Sequence, residues 1–360
     1  MVNQRRDPLQ KLDAGRAAAA FFARSGLARL SRHRRPSDAC VLTFHGVRDG
    51  TDDDRLLDLE QHIPASLFAE VCEYLASHYA ILPLGEIVAA RLQGKSLPHR
   101  TVAITFDDGY ESTHRLALPA LEKHGLPATV FVTAGYLDRR TSMWFHRLEL
   151  ALIRTKAEEL EADLGSKTRL SLRTLEERES ALGCLTTHLK ALPNTSLLEQ
   201  LAAVESALGV ADHGHEDMPD ALRPMTWDMA RQMQSGGLIE FGGHTDTHPV
   251  LARCSDDQQA AEIQASRQRL MAELGTPPKL FAYTNGKTGD FNEVSQRLVR
   301  ENGFQAAFTM QPGFLLPSDD LFALPRYGYP PSCAYLEAVV SGSMARFRSL
   351  RENLGLARAA

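Results

Sequence analysis

From about residue 39 onward, short apolar runs alternate with longer stretches of helical period, and nothing else in the 360-residue chain restricts its fold as much. The runs are CVLTF, AILPL, TVAITF, ATVFVT, LIEFGG, KLFAYT and QAAFTM, with LFALPRY a weaker one. Between them lie ASLFAEVCEYLASHY, STHRLALPALEKHG, WDMARQMQSG, DDQQAAEIQASRQRLMAELG and NEVSQRLVRENG, several of which end in the glycine that commonly closes a helix. This alternation predicts α/β architecture, with βα units around a mainly parallel sheet. About seven or eight units point to a closed barrel, although an open doubly wound sheet would give the same local pattern.

The rhythm breaks over residues 140–222, which are rich in Leu, Glu and Arg and lack strand-like runs, so a helical insertion is expected there. Residues 37–330 then form the barrel with that insertion, and residues 331–360 a helical tail. Residues 1–36 carry nine Lys or Arg against two Asp, with Leu9, Leu12, Phe21, Phe22, Leu27 and Leu30 interspersed. Such a segment is either a basic amphipathic helix lying on an anionic membrane or a helix packed on the barrel with its charges exposed. Its apolar stretch AAAAFFA is too short for a secretory core or a membrane span. Five cysteines without a C-x-x-C pair suit a reducing compartment. The expected location is cytoplasmic, with peripheral contact at the inner membrane through residues 1–36. A formal net charge of -5 gives no reason to expect nucleic acid as a partner.

In parallel α/β folds the chemistry gathers where strands end at their C-terminal side. Few polar residues stand there: His45 after CVLTF, Asp107 and Asp108 after TVAITF, His244 and His248 after LIEFGG, and Tyr283 to Gly286 after KLFA. Two adjacent carboxylates behind a buried strand repel each other, and burial worsens this, so a positive partner is required. His244 and His248, four residues apart, can reach one ion, and a carboxylate would complete a three-ligand site with an open position. A divalent cation offsets the aspartate pair, one carboxylate ligating while the other stays free.

In that order, TFDDGY, GGHTDTHP and FAYTNG resemble the first three motifs of the polysaccharide deacetylase family, the NodB-homology carbohydrate esterases. The likeness runs from VLTFHGV to FALPRY, skipping the insertion. It implies a distorted (β/α) barrel and a metal-dependent deacetylase acting on acetylated sugars. Residue by residue, Asp108, His244 and His248 match the metal ligands and Asp107 the catalytic base. The implied ion is Zn2+, with Co2+ or Ni2+ as alternatives. It would lower the pKa of a water and polarise the acetyl carbonyl. The backbone N–H of Tyr283 matches the group that stabilises the oxyanion.

Departing from the family pattern, the chain has no histidine after His248 to protonate the leaving amine. Relatives with a permuted arrangement supply that acid from the first strand, where LTFHGV offers His45. Thr284 stands where a proline is usual, and no arginine precedes the motif to orient the base; Arg326, in LPRYG, is the candidate substitute. Tyr110 is a candidate to line the cleft, and Trp144 with Phe145 to stack on a sugar ring. The expected substrate is an acetylated glycan or glycolipid precursor. Hydrolysis of a small non-sugar amide at the same site, or carbohydrate binding without catalysis on a degenerate barrel, are the alternatives.

Overall fold

The computed structural model of the chain describes residues 39–51, 56–58, 62–140, 142–210 and 218–346. The basic segment 1–36 and the end of the tail, from residue 347, lie outside them. No helix among the described residues is long and apolar enough to cross a membrane.

Seven strands build the barrel: β1 (Ala39–Phe44), β2 (Thr101–Phe106), β3 (Ala128–Val132), β4 (Ile239–Gly243), β5 (Leu280–Ala282), β6 (Ala306–Phe308) and β7 (Tyr327–Gly328). Neighbours in this order pair in parallel from β1 to β6. Leu324, just ahead of β7, bridges Phe308 in parallel, while β7 pairs with β1 through Leu42 and Thr43. The segment 324–328 therefore joins the two edges and closes the ring.

β1, β2 and β3 are buried along their whole length, as parallel strands covered on both faces are. Alternate residues serve two cores. Leu42, Phe44, Val102, Ile104 and Phe106 pack outward with Phe68, Val71 and Leu75 of α1 (Ala65–His78). Val41, Ala103, Phe131, Leu280, Ala282 and Phe308 pack with Leu84, Ile87 and Val88 of α2 (Leu84–Leu92). The run AILPL, expected as a strand, pairs with β2 only through Ala80 and Ile81. Pro83 then fixes the chain for the start of α2, and Leu84 goes into the helix. The remaining outer helices are α3 (Leu118–His124), α7 (Trp227–Ser235), α8 (Asp256–Leu274), α9 (Glu293–Glu301) and α10 (Cys333–Val340), with α4 to α6 in the segment between β3 and β4. A capping box between Ser255 and Gln258 starts α8, and Gly275 in a left-handed conformation ends it.

The segment between β3 and β4 holds α4 (Trp144–Arg154), α5 (Leu175–Ala191) and α6 (Asn194–Ala207) around a core of Leu148, Leu152, Leu185, Leu189, Leu197 and Leu201. It is not purely helical. Glu159–Asp163 and Lys167–Ser171 form an antiparallel hairpin. Its strands are short and charged, and Leu160 is their one well-buried residue, so no apolar run announces them.

Candidate active site

The C-terminal ends of β1, β2 and β4, with the turns after β5 and β6, open into a cavity of about 270 Å³. His45, Asp107, Asp108, His244, His248, Asn285, Lys287 and Met310 line it from the barrel side. Phe145 and Glu149 of α4, with Leu182, Thr186 and Lys190 of α5, form the facing wall.

Asp108 Oδ1 lies 3.4 Å from His244 Nε2 and 3.3 Å from His248 Nε2, and ligand atoms of all three residues fall within 4.8 Å of one another. Backbone turns aim them. Asp108, Thr245 and His248 have left-handed φ of 73°, 63° and 62°, and Asn285 has 58°. Non-glycine residues hold that conformation only where the surroundings enforce it, and such strain gathers at functional sites. Gly109, at φ 91°, allows the TFDDGY turn, where a Cβ would meet Leu137 at 2.7 Å. On the other side, half-buried Glu262 of α8 accepts the N–H groups of Asp246 and Thr247 at 2.9 and 2.8 Å, and Arg140 grips Asp246 through two hydrogen bonds. These contacts hold the loop that carries His248.

The donor set fits a divalent cation. His244 Nδ1 donates to the carbonyl of Ala282 at 2.8 Å, so in the neutral ring Nε2 presents a lone pair toward Asp108. Asp108 Oδ1 is itself buried and has no hydrogen-bond partner among the described residues. With His244 in that tautomer, an imidazole lone pair and a carboxylate oxygen face each other in a buried site, which is unfavourable, and a cation held between them and His248 resolves it. Burial pushes the Asp108 carboxyl up, but His244 and His248 outweigh it and hold the group well below the usual carboxylate range.

Asp107 faces the same cavity with a different partner. Arg326, fully buried, donates to its two oxygens at 2.8 Å each, and also to Thr105 Oγ1 and the carbonyl of Thr309. Its guanidinium lies 5.4 Å above the ring of Phe131. Burial raises the Asp107 carboxyl, yet Arg326, and then His244, more than compensate, so it stays ionised below its ordinary range.

Three sequence expectations change. Tyr283 does not offer its N–H, which donates to the carbonyl of Phe308 in the β5–β6 ladder, and its phenol donates to Phe322 O. Asn285, two residues on, lines the cavity instead, with a buried Nδ2 that has no partner among the described residues. An Asn followed by Gly is the sequence mark of such a left-handed turn. Tyr110 does not line the cleft. It is fully buried below it, its hydroxyl 2.8 Å from His146 Nε2 and its ring against His62. Trp144 packs into the core of the inserted helices, and Phe145 takes the cavity position, its ring 5.2 Å from that of His248. Thr284, in place of the usual proline, is buried and donates to the carbonyl of Pro249, tying the turn after β5 to the histidine loop.

Sequence reasoning missed Glu149, Lys190, Lys287 and Glu262. Burial pushes the Glu149 carboxyl up to about 7, although one oxygen accepts the N–H groups of Asp58 and Leu57.

Residues 94–307 match the family model described as Polysaccharide deacetylase. Among curated proteins, the chain is 35% identical over 89 residues to the Poly-beta-1,6-N-acetyl-D-glucosamine N-deacetylase of Staphylococcus aureus strain MSSA476, covering 24% of this chain and 29% of that protein. It is 29% identical over 98 residues to the protein of the same name from Escherichia coli strain K12, covering 27% and 14%. The chain thus spans less than a third of the length of these relatives. Among solved structures it resembles Streptococcus pyogenes deacetylase PplD in complex with acetate, with TM-score 0.57 and 16% identity over 85% of this chain and 99% of that one. IcaB from Ammonifex degensii gives TM-score 0.54 and 18% identity over 84% and 97%. At these identities the structural likeness speaks for the fold, and the fold agrees with the barrel described above.

Proposed function

The chain belongs to the polysaccharide deacetylase family, and from that premise we propose that it hydrolyses the acetamide of an N-acetylated sugar in a polysaccharide or glycolipid. One observation carries this reading: Asp108, His244 and His248 converge on a common point while Asp107, clamped by Arg326, faces the same cavity unshared. A pure binding site would need no second carboxylate held ionised beside the first.

A divalent cation held by Asp108, His244 and His248, Zn2+ by its donor set, would lower the pKa of a water and polarise the acetyl carbonyl. The chain's own groups do the rest. Asp107 receives a proton from the attacking water, kept in register by the two parallel hydrogen bonds from Arg326. His45, at the end of β1 on the cavity rim, gives a proton to the departing amine nitrogen. Asn285, at the turn after β5, lines the cavity and keeps a buried side-chain donor without a partner among the described residues, which suits it to a carbonyl oxygen that becomes negative. The wall of Phe145, Leu182 and Thr186 offers apolar and hydroxyl contacts to the sugar.

Acetate release from N-acetylglucosamine oligomers tests the proposal. It should vanish on chelation, return with Zn2+, and fall about 10²–10⁴-fold in Asp107→Asn with metal content unchanged. Undiminished release from Asp107→Asn would reject the assignment of the base.

A further inference from the structure

Two ammonium groups meet at the cavity from distant parts of the chain. Lys190 stands on α5 of the inserted segment, and Lys287 on the turn that follows Asn285 and Gly286. Neither ammonium has an ion pair or hydrogen bond among the described residues. Lys190 is half-buried. Burial, reinforced by the charge of Lys287, holds its ammonium below the usual range, with Asp290 and Asp58 opposing less strongly.

By itself this arrangement costs stability, because desolvation and like-charge repulsion act together. The carboxylates of the neighbourhood relieve it only in part: Asp58, which also lines the cavity, opposes the depression of Lys190 less strongly than burial and Lys287 drive it, and makes no ion pair with either lysine. Glu149, on the same wall, turns one oxygen to the N–H groups of Leu57 and Asp58. Asp290 accepts from the backbone N–H of Lys287 and makes no ion pair with its ammonium. Asp107 is committed to Arg326. An anionic group on a ligand is what both lysines lack.

We propose that Lys190 and Lys287 form an anion subsite beside the reacting centre, so that the sugar acted on carries a phosphate ester or a carboxylate near its acetamide. As a statement about substrate this rests on the deacetylase reading above. The subsite draws on both the barrel and the inserted helices, which makes the insertion a determinant of specificity.

The test compares kcat/KM on di-N-acetylchitobiose, N-acetylglucosamine 1-phosphate and a disaccharide of N-acetylglucosamine with glucuronate. The wild-type chain should prefer one anionic substrate by about tenfold or more, the gain expected of a partly desolvated charge pair. The arm that shows the preference tells phosphate from carboxylate. That preference should collapse toward unity in Lys190→Met and in the exposed Lys287→Met, and persist in Lys190→Arg. Absence of any preference, or a preference unchanged in both Met variants, would overturn the subsite.

Calorimetry with inorganic phosphate and with glucuronate on the full chain reads the same site without turnover. Binding weakened about tenfold in both Met variants supports it even in a chain that releases no acetate, in which case only the deacetylase reading falls. Equal affinity in wild type and variants, or no binding of either anion, rejects the subsite whatever the acetate assay gives.

Discussion

Arg326 and Asp107 stand 219 residues apart in the chain and meet as a buried, two-bond ion pair in which each nitrogen–oxygen distance is 2.8 Å. The arginine is fully buried, and two further donors go to Thr105 and Thr309. Such a pair holds geometry well and tolerates the loss of one member poorly.

Replacing Arg326 with Met should therefore cost about 3–5 kcal/mol of stability, because Asp107 is left charged and unpaired in the interior. In the surviving protein, burial of Asp107 would be opposed only by His244 and His45, so its pKa rises and the acid limb of kcat/KM moves to higher pH. Denaturant melts and a pH–rate profile check both parts. An unmoved acid limb would argue that Arg326 does not set the ionisation of Asp107.

His45→Ala should lower kcat about 10²–10⁴-fold on amide substrates, as expected for loss of a general acid, with bound metal at wild-type stoichiometry. Substrates with leaving groups that need no proton should lose far less. An equal loss on both kinds would point to a packing role.

Removing metal should lower stability as well as activity. At a free ion concentration 100 times Kd, binding to the folded state alone contributes about 2.7 kcal/mol. The melting temperature of wild type should drop on chelation, while that of His244→Ala should hardly respond. A chelation-sensitive melt in His244→Ala would place the ion elsewhere.

Glu262→Ala removes the acceptor of the Asp246 and Thr247 N–H groups, which hold the loop that carries His248. Loss of such support for a ligand loop should weaken metal affinity about 10–100-fold. A competitive titration against a zinc-binding dye measures it, and unchanged affinity would show that the loop keeps its shape without Glu262.

Glu149 gives a pH signature with a definite sign. Its folded carboxyl titrates at about 7, above the unfolded value of about 4.3. Between those values the folded state binds more protons than the unfolded one, so stability falls as pH rises through the window. The loss attributable to Glu149 is on the order of 3 kcal/mol. Glu149→Gln should flatten that part of a stability–pH curve, and identical curves for the two proteins would contradict the assignment.

Much of this was legible because strands and ligands leave local marks. The alternation of apolar runs announced βα units around a parallel sheet, their number and the family motifs pointed to the barrel, and an Asp pair and an H-x-x-x-H pair, each at a strand end, announced the candidate ion site. Arg326 was reachable as well, since it is the arginine in the run that ends the ring. Other features depend on how distant pieces dock. Nothing in the sequence around Trp144 says which of two adjacent aromatics turns to the cavity, because that follows from the rotation of α4 on the inserted core. Tyr110 looks like a cleft residue until His146 is brought to its hydroxyl from the insertion. The choice between Tyr283 and Asn285 turned on which N–H the β5–β6 ladder consumes, a matter of pairing register. Lys190 and Glu149 lie on helices whose charged residues read as solvated until the wall is assembled.

The stretch that seals the ring is also the one that delivers Arg326. During synthesis, every chain that ends before that stretch must keep Asp107 either protonated or exposed to water. On the proposed reading, the base thus gains its partner through the same docking event that finishes the ring. A copy truncated ahead of that stretch would, on that reading, still carry Asp108, His244 and His248 but lack the partner that holds its base.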